Sequence, residues 1–401
     1  MVSNSHQPRA TDVVLGSQIS TPIGAAVLGG IAGVKRRLAS PIVAHRVAAL
    51  SETLQYKEKG LDLVFESLKD ESWHVRQTAY LLLQNCDQSR LAQVLQLYNP
   101  YQLFECLHRH FTAKSTTYAL TISPDGQNLI SGGSDKLITV RSLYTGRIIR
   151  TFNGLMDGIK SLAISPSGQT ILSSSWDNTI KFWNLQSTKI LGDELLYTFV
   201  PHTEAVNCVA ISPTGKTFAT TSEDYTIKLW NFATKKLIFT LSGHTAGVKS
   251  IAISANGDIL ASASADATIK LWDLSTGKVL HTLTGHENWV KCIAISPNGK
   301  IVVSSGQDKS IKIWNLQTGE LLNTLSGHWD EVNAVAISND GINLVSASRD
   351  ETIIIWHLAT GTQLQVLEAH QDAIAAIAIN PTGDKIVSSS WDKTIRIWGV
   401  R

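Results

Sequence analysis

Residues 286–325 read HENWVKCIAISPNGKIVVSSGQDKSIKIWNLQTGELLNTL, and this stretch recurs with small changes through three quarters of the chain. Aligning the copies on the aspartate ahead of each TIKLW-like run gives Asp135, Asp177, Asp224, Asp266, Asp308, Asp350 and Asp392, spaced 42 residues apart except for one interval of 47. Six residues after the aspartate stands Trp183, Trp230, Trp272, Trp314, Trp356 or Trp398, with Arg141 in the first copy. Twenty-two residues before it stands His202, His244, His286, His328 or His370, with Ala113 and Leu155 in the first two copies. Four residues before it is a hydroxyl: Ser131, Ser173, Thr220, Ser262, Ser304, Ser346 or Ser388. Four residue types held in register over seven copies define a repeat whose units stack on their neighbours.

Each copy has the pattern of four short strands, lettered a to d. VKCIAIS is followed by the turn PNG, then KIVVSS, a turn at Gln307 and Asp308, SIKIWNL, a turn at Thr318 and Gly319, and LLNTL. The runs are rich in Val and Ile and bounded by Gly, Pro, Asn and Asp, the residues that end strands and build hairpins. Pro-x-Gly turns recur at Pro124, Pro166, Pro213, Pro297 and Pro381. Four strands in roughly 40–45 residues with G-H and W-D marks predict one propeller blade per copy. Residues 104–401 resemble the WD-repeat family of β-propellers. The expected fold class is mainly β: a seven-bladed WD-repeat β-propeller with a small all-α N-terminal domain.

The resemblance implies that the four recurring residues form a hydrogen-bonded chain. His286 donates to Asp308, and Ser304 relays towards the indole N–H of Trp314. The same is expected of His202, Thr220, Asp224 and Trp230; of His244, Ser262, Asp266 and Trp272; of His328, Ser346, Asp350 and Trp356; and of His370, Ser388, Asp392 and Trp398. Each bond contributes about 1 kcal/mol net, whereas a partner left buried alone costs about 1–3 kcal/mol. His, Ser and Asp together also suggest a hydrolytic triad, but a catalyst needs one triad and a fold needs one per blade. Five copies make these residues structural.

The last copy ends at Arg401, directly after its strand c. Residues 104–111 (FECLHRHF) align with a strand d, Leu107 in the register of Leu280. The first β segment is therefore expected to complete blade seven and close the ring, leaving no long open edge. The five extra residues of the long interval fall near Lys189–Glu194 and lengthen the c–d connection of blade two.

Ahead of the propeller (103–401), residues 1–39 are expected to form a poorly ordered leader and residues 40–102 a HEAT-like helical domain. Pro22–Val34 is apolar, but at 13 residues with four glycines it falls short of the ~20 residues a spanning helix needs. Lys35, Arg36 and Arg37 follow that run, whereas a signal peptide carries its charges in front. Ser40 reads as a helix cap with Pro41 in the first turn. Ile42, Val43, Val47, Leu50 and Leu54 then recur at helical spacing. After Gly60, Leu61, Val64, Phe65 and Leu68 form one stripe, and Val75, Ala79 and Leu82 another. The run from Asp70 to Val75 and Arg76, with Ala79 behind, resembles a HEAT repeat of paired helices. One unit buries little surface, so packing on the propeller or on a partner is expected across the short joint Tyr98–Pro100. Chains of this helical-plus-propeller make-up resemble bacterial WD-repeat proteins.

Composition limits the function. Of 401 residues, 43% are hydrophobic and 17% charged, which provides for a large core and excludes wholesale disorder. The formal charge of +2 lacks the bias of a dominant nucleic-acid or anionic-membrane binder. Cys86, Cys106, Cys208 and Cys292 are too scattered for a disulfide framework or zinc knuckle, which points to a reducing, cytoplasmic compartment. Cys208 and Cys292 share one position beside strand a and read as small packing residues. Outside the repeat there is no phosphate-cradling glycine loop, nucleophile motif or metal-ligand cluster. No catalytic residue, metal or cofactor is expected, and the chain is expected to be monomeric by itself.

The resemblance implies protein or peptide partners held on the face of the d–a and b–c loops. Two variable positions per blade point there. The residue before the aspartate is Ser134, Trp176, Glu223, Ala265, Gln307, Arg349 or Trp391. The residue five after the histidine position is Tyr118, Lys160, Asn207, Lys249, Lys291, Asn333 or Ala375. Trp176 and Trp391 flank the blade of Tyr118 and border one sector, either as a binding hot spot or as a residue inherited by two duplicate blades, SSSWDNTIKFW and SSSWDKTIRIW. Lys249, Lys291 and Arg349, with Trp289 nearby, lie in the opposite sector. There they form a receptor for an acidic or phosphorylated peptide or ordinary mixed surface. Lys181, Lys228, Lys270 and Lys312, with Arg396 in register, read as a solvated rim whose stems cover apolar surface, with a nucleic-acid stripe as the alternative. A hydrolase or lyase in the central channel would need acidic or metal-binding residues on the innermost strands. Those read SLAIS, CVAIS, SIAIS and AIAIN, apolar and small. A non-catalytic interaction scaffold is the reading that remains.

Overall fold

The computed structural model describes residues 30–84, 104–111, 115–185 and 195–399. They fall into two compact units, Met1–Leu103 and Phe104–Arg401, each described by itself.

The second unit is built from seven four-stranded antiparallel sheets. Blade one runs Thr117–Ile122 (a), Asn128–Gly133 (b), Ile138–Ser142 (c) and Ile148–Phe152 (d), with neighbours in that order. The a strands of successive blades adjoin one another all the way round. Thr117–Ile122 lies beside Ile159–Ile164 on one side and Ile374–Ile379 on the other. A ring of sheets stacked face to face buries the middle strands on both sides. Strand b of blade five, Ile301–Gly306, is therefore buried along nearly its whole length, while its strand d, Leu321–Leu325, stays largely exposed at the rim. The core lies between blades: Val303, Ile313 and Leu325 of blade five pack with Leu344 and Trp356 of blade six.

Blade seven takes its strand d from the start of the unit. Glu105–Phe111 pairs antiparallel with Thr394–Gly399, from Glu105 opposite Gly399 to Phe111 opposite Thr394. The register skips Leu107 between Cys106 and His108, just as it skips Leu280 between Val279 and His281 in blade four. The Lys189–Glu194 insertion lies outside the described residues, between Asn184 and Leu195.

The first unit contains α1 (Gly30–Leu38), α2 (Val43–Thr53), α3 (Lys57–Ser67) and α4 (Trp73–Gln84). Residues 30–38 were expected in a poorly ordered leader; instead they form a helix, because Val34 is fully buried against Ala49 and Leu63, and Arg37 pairs with Glu52. Residues 1–29, Cys86 and the joint Tyr98–Pro100 lie outside the described residues. Ser40 is not the cap of α2. Its hydroxyl accepts the Ile42 N–H at 3.2 Å in a turn before the helix, whose own N-cap, Ile42, makes no side-chain cap bond. Ile42 and Leu54, expected on the inner face, are 52% and 37% exposed. The buried face is instead Arg46, Ala49, Leu50 and Thr53. Arg46 turns inward because its guanidinium reaches Asp70 Oδ1 (2.9 Å) and the Ser40 carbonyl (2.8 Å). Gly60 lies within α3, where a Cβ would stand 1.8 Å from the Thr53 carbonyl oxygen. Leu83, rather than Leu82, is fully buried in α4 together with Val75 and Ala79. Among the described residues no helix is long and apolar enough to cross a membrane.

Candidate functional site: an aromatic and lysine mouth

The loops of one propeller face are held by the recurring polar residues. In blade five, Trp314 Nε1–H donates to Ser304 Oγ (2.9 Å), the hydroxyl donates to His286 Nε2 (2.8 Å), and His286 Nδ1–H donates to Asp308 Oδ2 (2.7 Å). An ionised carboxylate only accepts, which sets the tautomer and the direction of the relay. Asp308 also accepts the Glu287 N–H (3.1 Å), so it ties the d–a loop to the b–c turn twice. Blades three, four, six and seven repeat the arrangement, with histidine-to-aspartate distances of 2.7–3.0 Å. Burial lowers His370 to about 4 despite the adjacent Asp392 charge, and lowers His202 and His244 in the same direction. Burial alone would raise Asp308, but bonds and charge from His286 outweigh it and hold the carboxyl at about 2.

Blades one and two lack this clasp. In blade two Trp183 still donates to Ser173 (2.9 Å), but Leu155 replaces the histidine, and Asp177 Oδ2 is buried with no partner among the described residues. Blade one has Arg141 in place of the tryptophan, and its Ala113 lies outside the described residues.

Across each blade the residue before the aspartate bonds to the residue three after the histidine position. Trp176 N–H donates to the Gly158 carbonyl (3.1 Å), Trp391 to Ala373 (2.9 Å), Gln307 to Trp289 (2.8 Å) and Arg349 to Glu331 (2.8 Å). Both tryptophans thus face a small residue. A Cβ on Gly158 would lie 2.8 Å from the Trp176 ring, so the indole occupies the space that the glycine leaves.

These side chains surround the mouth of the axial channel, a cavity of about 530 Å³. Six of the seven expected partner-binding residues line it: Tyr118, Trp176, Trp391, Trp289, Lys249 and Lys291. Trp176, Trp289 and Trp391 are 37%, 46% and 46% exposed. Tyr118 and Trp176 lie with ring centroids 5.3 Å apart. Lys249 Nζ stands 4.9 Å from the Trp289 ring, and Lys160 Nζ stands 5.1 Å from the Trp176 ring, both in cation–π geometry. The two sectors are therefore walls of one cavity. Arg349 does not line it; exposed, it stands 3.7–3.8 Å from Glu331 and Asp330, whose carboxylates draw it away.

Sequence reasoning missed the acids behind the lysines. Glu223 binds Lys249 (2.5 Å) and Asn207 (3.1 Å), while Glu331 binds Lys291 and the Gln307 amide (2.7 Å). Burial favours the protonated form of both glutamates, but the lysines and amides outweigh it and lower their pKa values. Burial, and then the charge of Lys249, lower the Lys160 ammonium below its ordinary value, with Glu223 opposing. The missed signal lay in the position three after the histidine, where Gly158 and Gly247 oppose large or charged partners. A Cβ on Gly247 would strike the Glu223 carboxylate.

The strand-c lysines are not a uniform solvated rim. Lys181 is buried and bonded to the Gly154 carbonyl, Lys228 donates to the Pro201 carbonyl (2.7 Å), and Lys270 to Thr282 Oγ1 (2.9 Å). Each ammonium is used locally. Cys208 and Cys292 are free thiols on the cavity wall, their pKa values raised by burial.

The sequence profile of the WD domain, G-beta repeat, matches residues 104–141, 146–184, 193–231, 235–273, 277–315, 319–357 and 361–399. A bromodomain and WD repeat-containing protein of Dictyostelium discoideum is 32% identical over 76 residues, which are 19% of this chain and 4% of that protein.

Proposed function

The chain belongs to the WD-repeat family, whose members typically mediate protein interactions, and on that premise we propose that the ring is a non-catalytic scaffold holding a segment of a partner protein at the mouth of the axial channel. The observation that carries this is the convergence of three half-exposed indoles on a single cavity. Indoles left in water at the centre of a concave face are the side chains that anchor interfaces. The mouth's wall chemistry supports binding over turnover. Its titratable lining residues are three lysines, two thiols and a tyrosine, with no carboxylate or imidazole among the described lining residues to serve as an acid–base pair. Free Cys106, Cys208 and Cys292 support a reducing, cytoplasmic setting. The buried Arg46–Asp70 pair and the bond from Arg76 to the Glu71 carbonyl (2.9 Å) support a HEAT-like reading of the helical unit.

Affinity capture from native extract tests the proposal, comparing the intact chain with a Trp176→Ala/Trp391→Ala variant of unchanged melting temperature. Proteins retained by the intact chain and lost from the variant are expected. An identical retained set would overturn the assignment of the mouth. Retention of nucleic acid with a steep salt dependence would overturn the choice of a protein partner.

A further inference from the structure

The mouth's charges do not cancel. Glu223 accepts from both Lys249 and Asn207 at Oε1, and Glu331 is bound by Lys291, Gln307 and Arg349. Lys160, half-buried on strand a of blade two, has no carboxylate within salt-bridge distance among the described residues, and its ammonium stands 5.1 Å from the centroid of the Trp176 ring. An ammonium held beside an indole in a concave wall has lost part of its hydration, and the charge of Glu223 reaches it only from beyond salt-bridge distance. A second feature lies two blades away. Ala375 is the one methyl side chain among the seven ring positions, and like Trp391 of the same blade it lines the cavity wall. That leaves an apolar recess two blades from the charged position.

We infer that the occupant of the mouth is a peptide segment that presents an aspartate or glutamate side chain to Lys160 Nζ and an apolar side chain to the recess at Ala375 and Trp391. This rests on the mouth being a peptide site and adds what the peptide carries. A carboxylate fits better than a phosphorylated side chain. One uncompensated ammonium matches a monoanion, whereas phosphate is taken by arginine forks or clusters, and no arginine lines the cavity among the described residues.

The test pans a random dodecapeptide display library against the full chain, followed by affinity measurement on synthetic peptides. Enriched sequences are expected to share one acidic and one apolar position. Replacing the acid by its amide is expected to weaken binding about 10- to 100-fold. Lys160→Met is expected to weaken the acidic peptide equally and to leave the amide peptide unchanged, whereas Lys160→Arg retains affinity. Should Lys160→Met not fold, the acid-to-amide change in the peptide reads the same contact without altering the protein. Peptides that lose binding on Trp176→Ala/Trp391→Ala, yet depend neither on an acid nor on Lys160, would overturn this inference and leave the mouth as a peptide site. Peptides indifferent to both changes, or a library with no enrichment, would overturn both.

Discussion

At the scale of single residues, the blade clasp is a directional relay in which one missing member leaves a traceable defect. Asp177 Oδ2 is buried without a partner among the described residues because Leu155 stands where five blades have histidine. Leu155→His should supply a donor to Asp177 and an acceptor to the Ser173 hydroxyl, raising stability by about 0.5–1.5 kcal/mol. Thermal or urea unfolding measures it, and a lower midpoint would mean that the packing of Leu155 beside Trp183 outweighs the new bonds. Acid should act in the opposite sense. His370 titrates near 4 in the folded chain against an ordinary 6.5, so the unfolded state takes up a proton first as pH falls. The stability this neutral imidazole contributes is whole above pH ~6.5 and is lost progressively down to pH ~4. His202 and His244 shift the same way. Asp308 and Asp392, near 2 in the fold, add a second loss below their ordinary 3.8. The melting temperature should be level above about pH 7 and decline below 6.5, and His370→Gln should make that decline shallower. A higher melting temperature at pH 5 than at pH 7.5 would refute the scheme.

Among the elements, Glu105–Phe111 has the widest consequence because it lies at one end of the unit and completes the sheet at the other. Every other strand d follows its own strand c along the chain, but this one joins its strand c non-covalently. Its register carries the same bulge as blade four, which places Leu107 where Leu280 lies. Deleting residues 103–112 would expose the edge of Thr394–Gly399 and leave blade seven joined to blade one only through the packing of its other strands. The expected result is a fall in melting temperature of at least about 10 °C with loss of a single transition. A deletion variant that melted as sharply and as late as the intact chain would show that closure does not depend on this strand.

For the molecule as a whole, the clasps are unevenly distributed round the ring. Blades three to seven tie the d–a loop to the b–c turn through histidine and a backbone N–H, as in the pair from His244 and Thr245 to Asp266. In blade two the described bonds of the Asp177 carboxylate stay within its own turn, to Thr179. Amide hydrogens near Ser134–Lys136 and Trp176–Asn178 should exchange faster than those near Ala265–Ala267 and Gln307–Lys309. Equal protection would show that stacking between blades, rather than the clasp, governs local opening. Trp176 and Tyr118 belong to the looser sector, beside Lys160. The number of blades, the clasp residues and the two outlying tryptophans were legible in the one-dimensional text, because each blade is a local unit whose marks recur at a set interval. The pairing of Glu223 with Lys249, of Glu331 with Lys291, and the resulting lack of a contacting carboxylate for Lys160 among the described residues were not. Those contacts join side chains of neighbouring blades at the channel mouth, so their partners are chosen by how adjacent blades meet in the closed ring and by which residue beside them is small enough to let them pass.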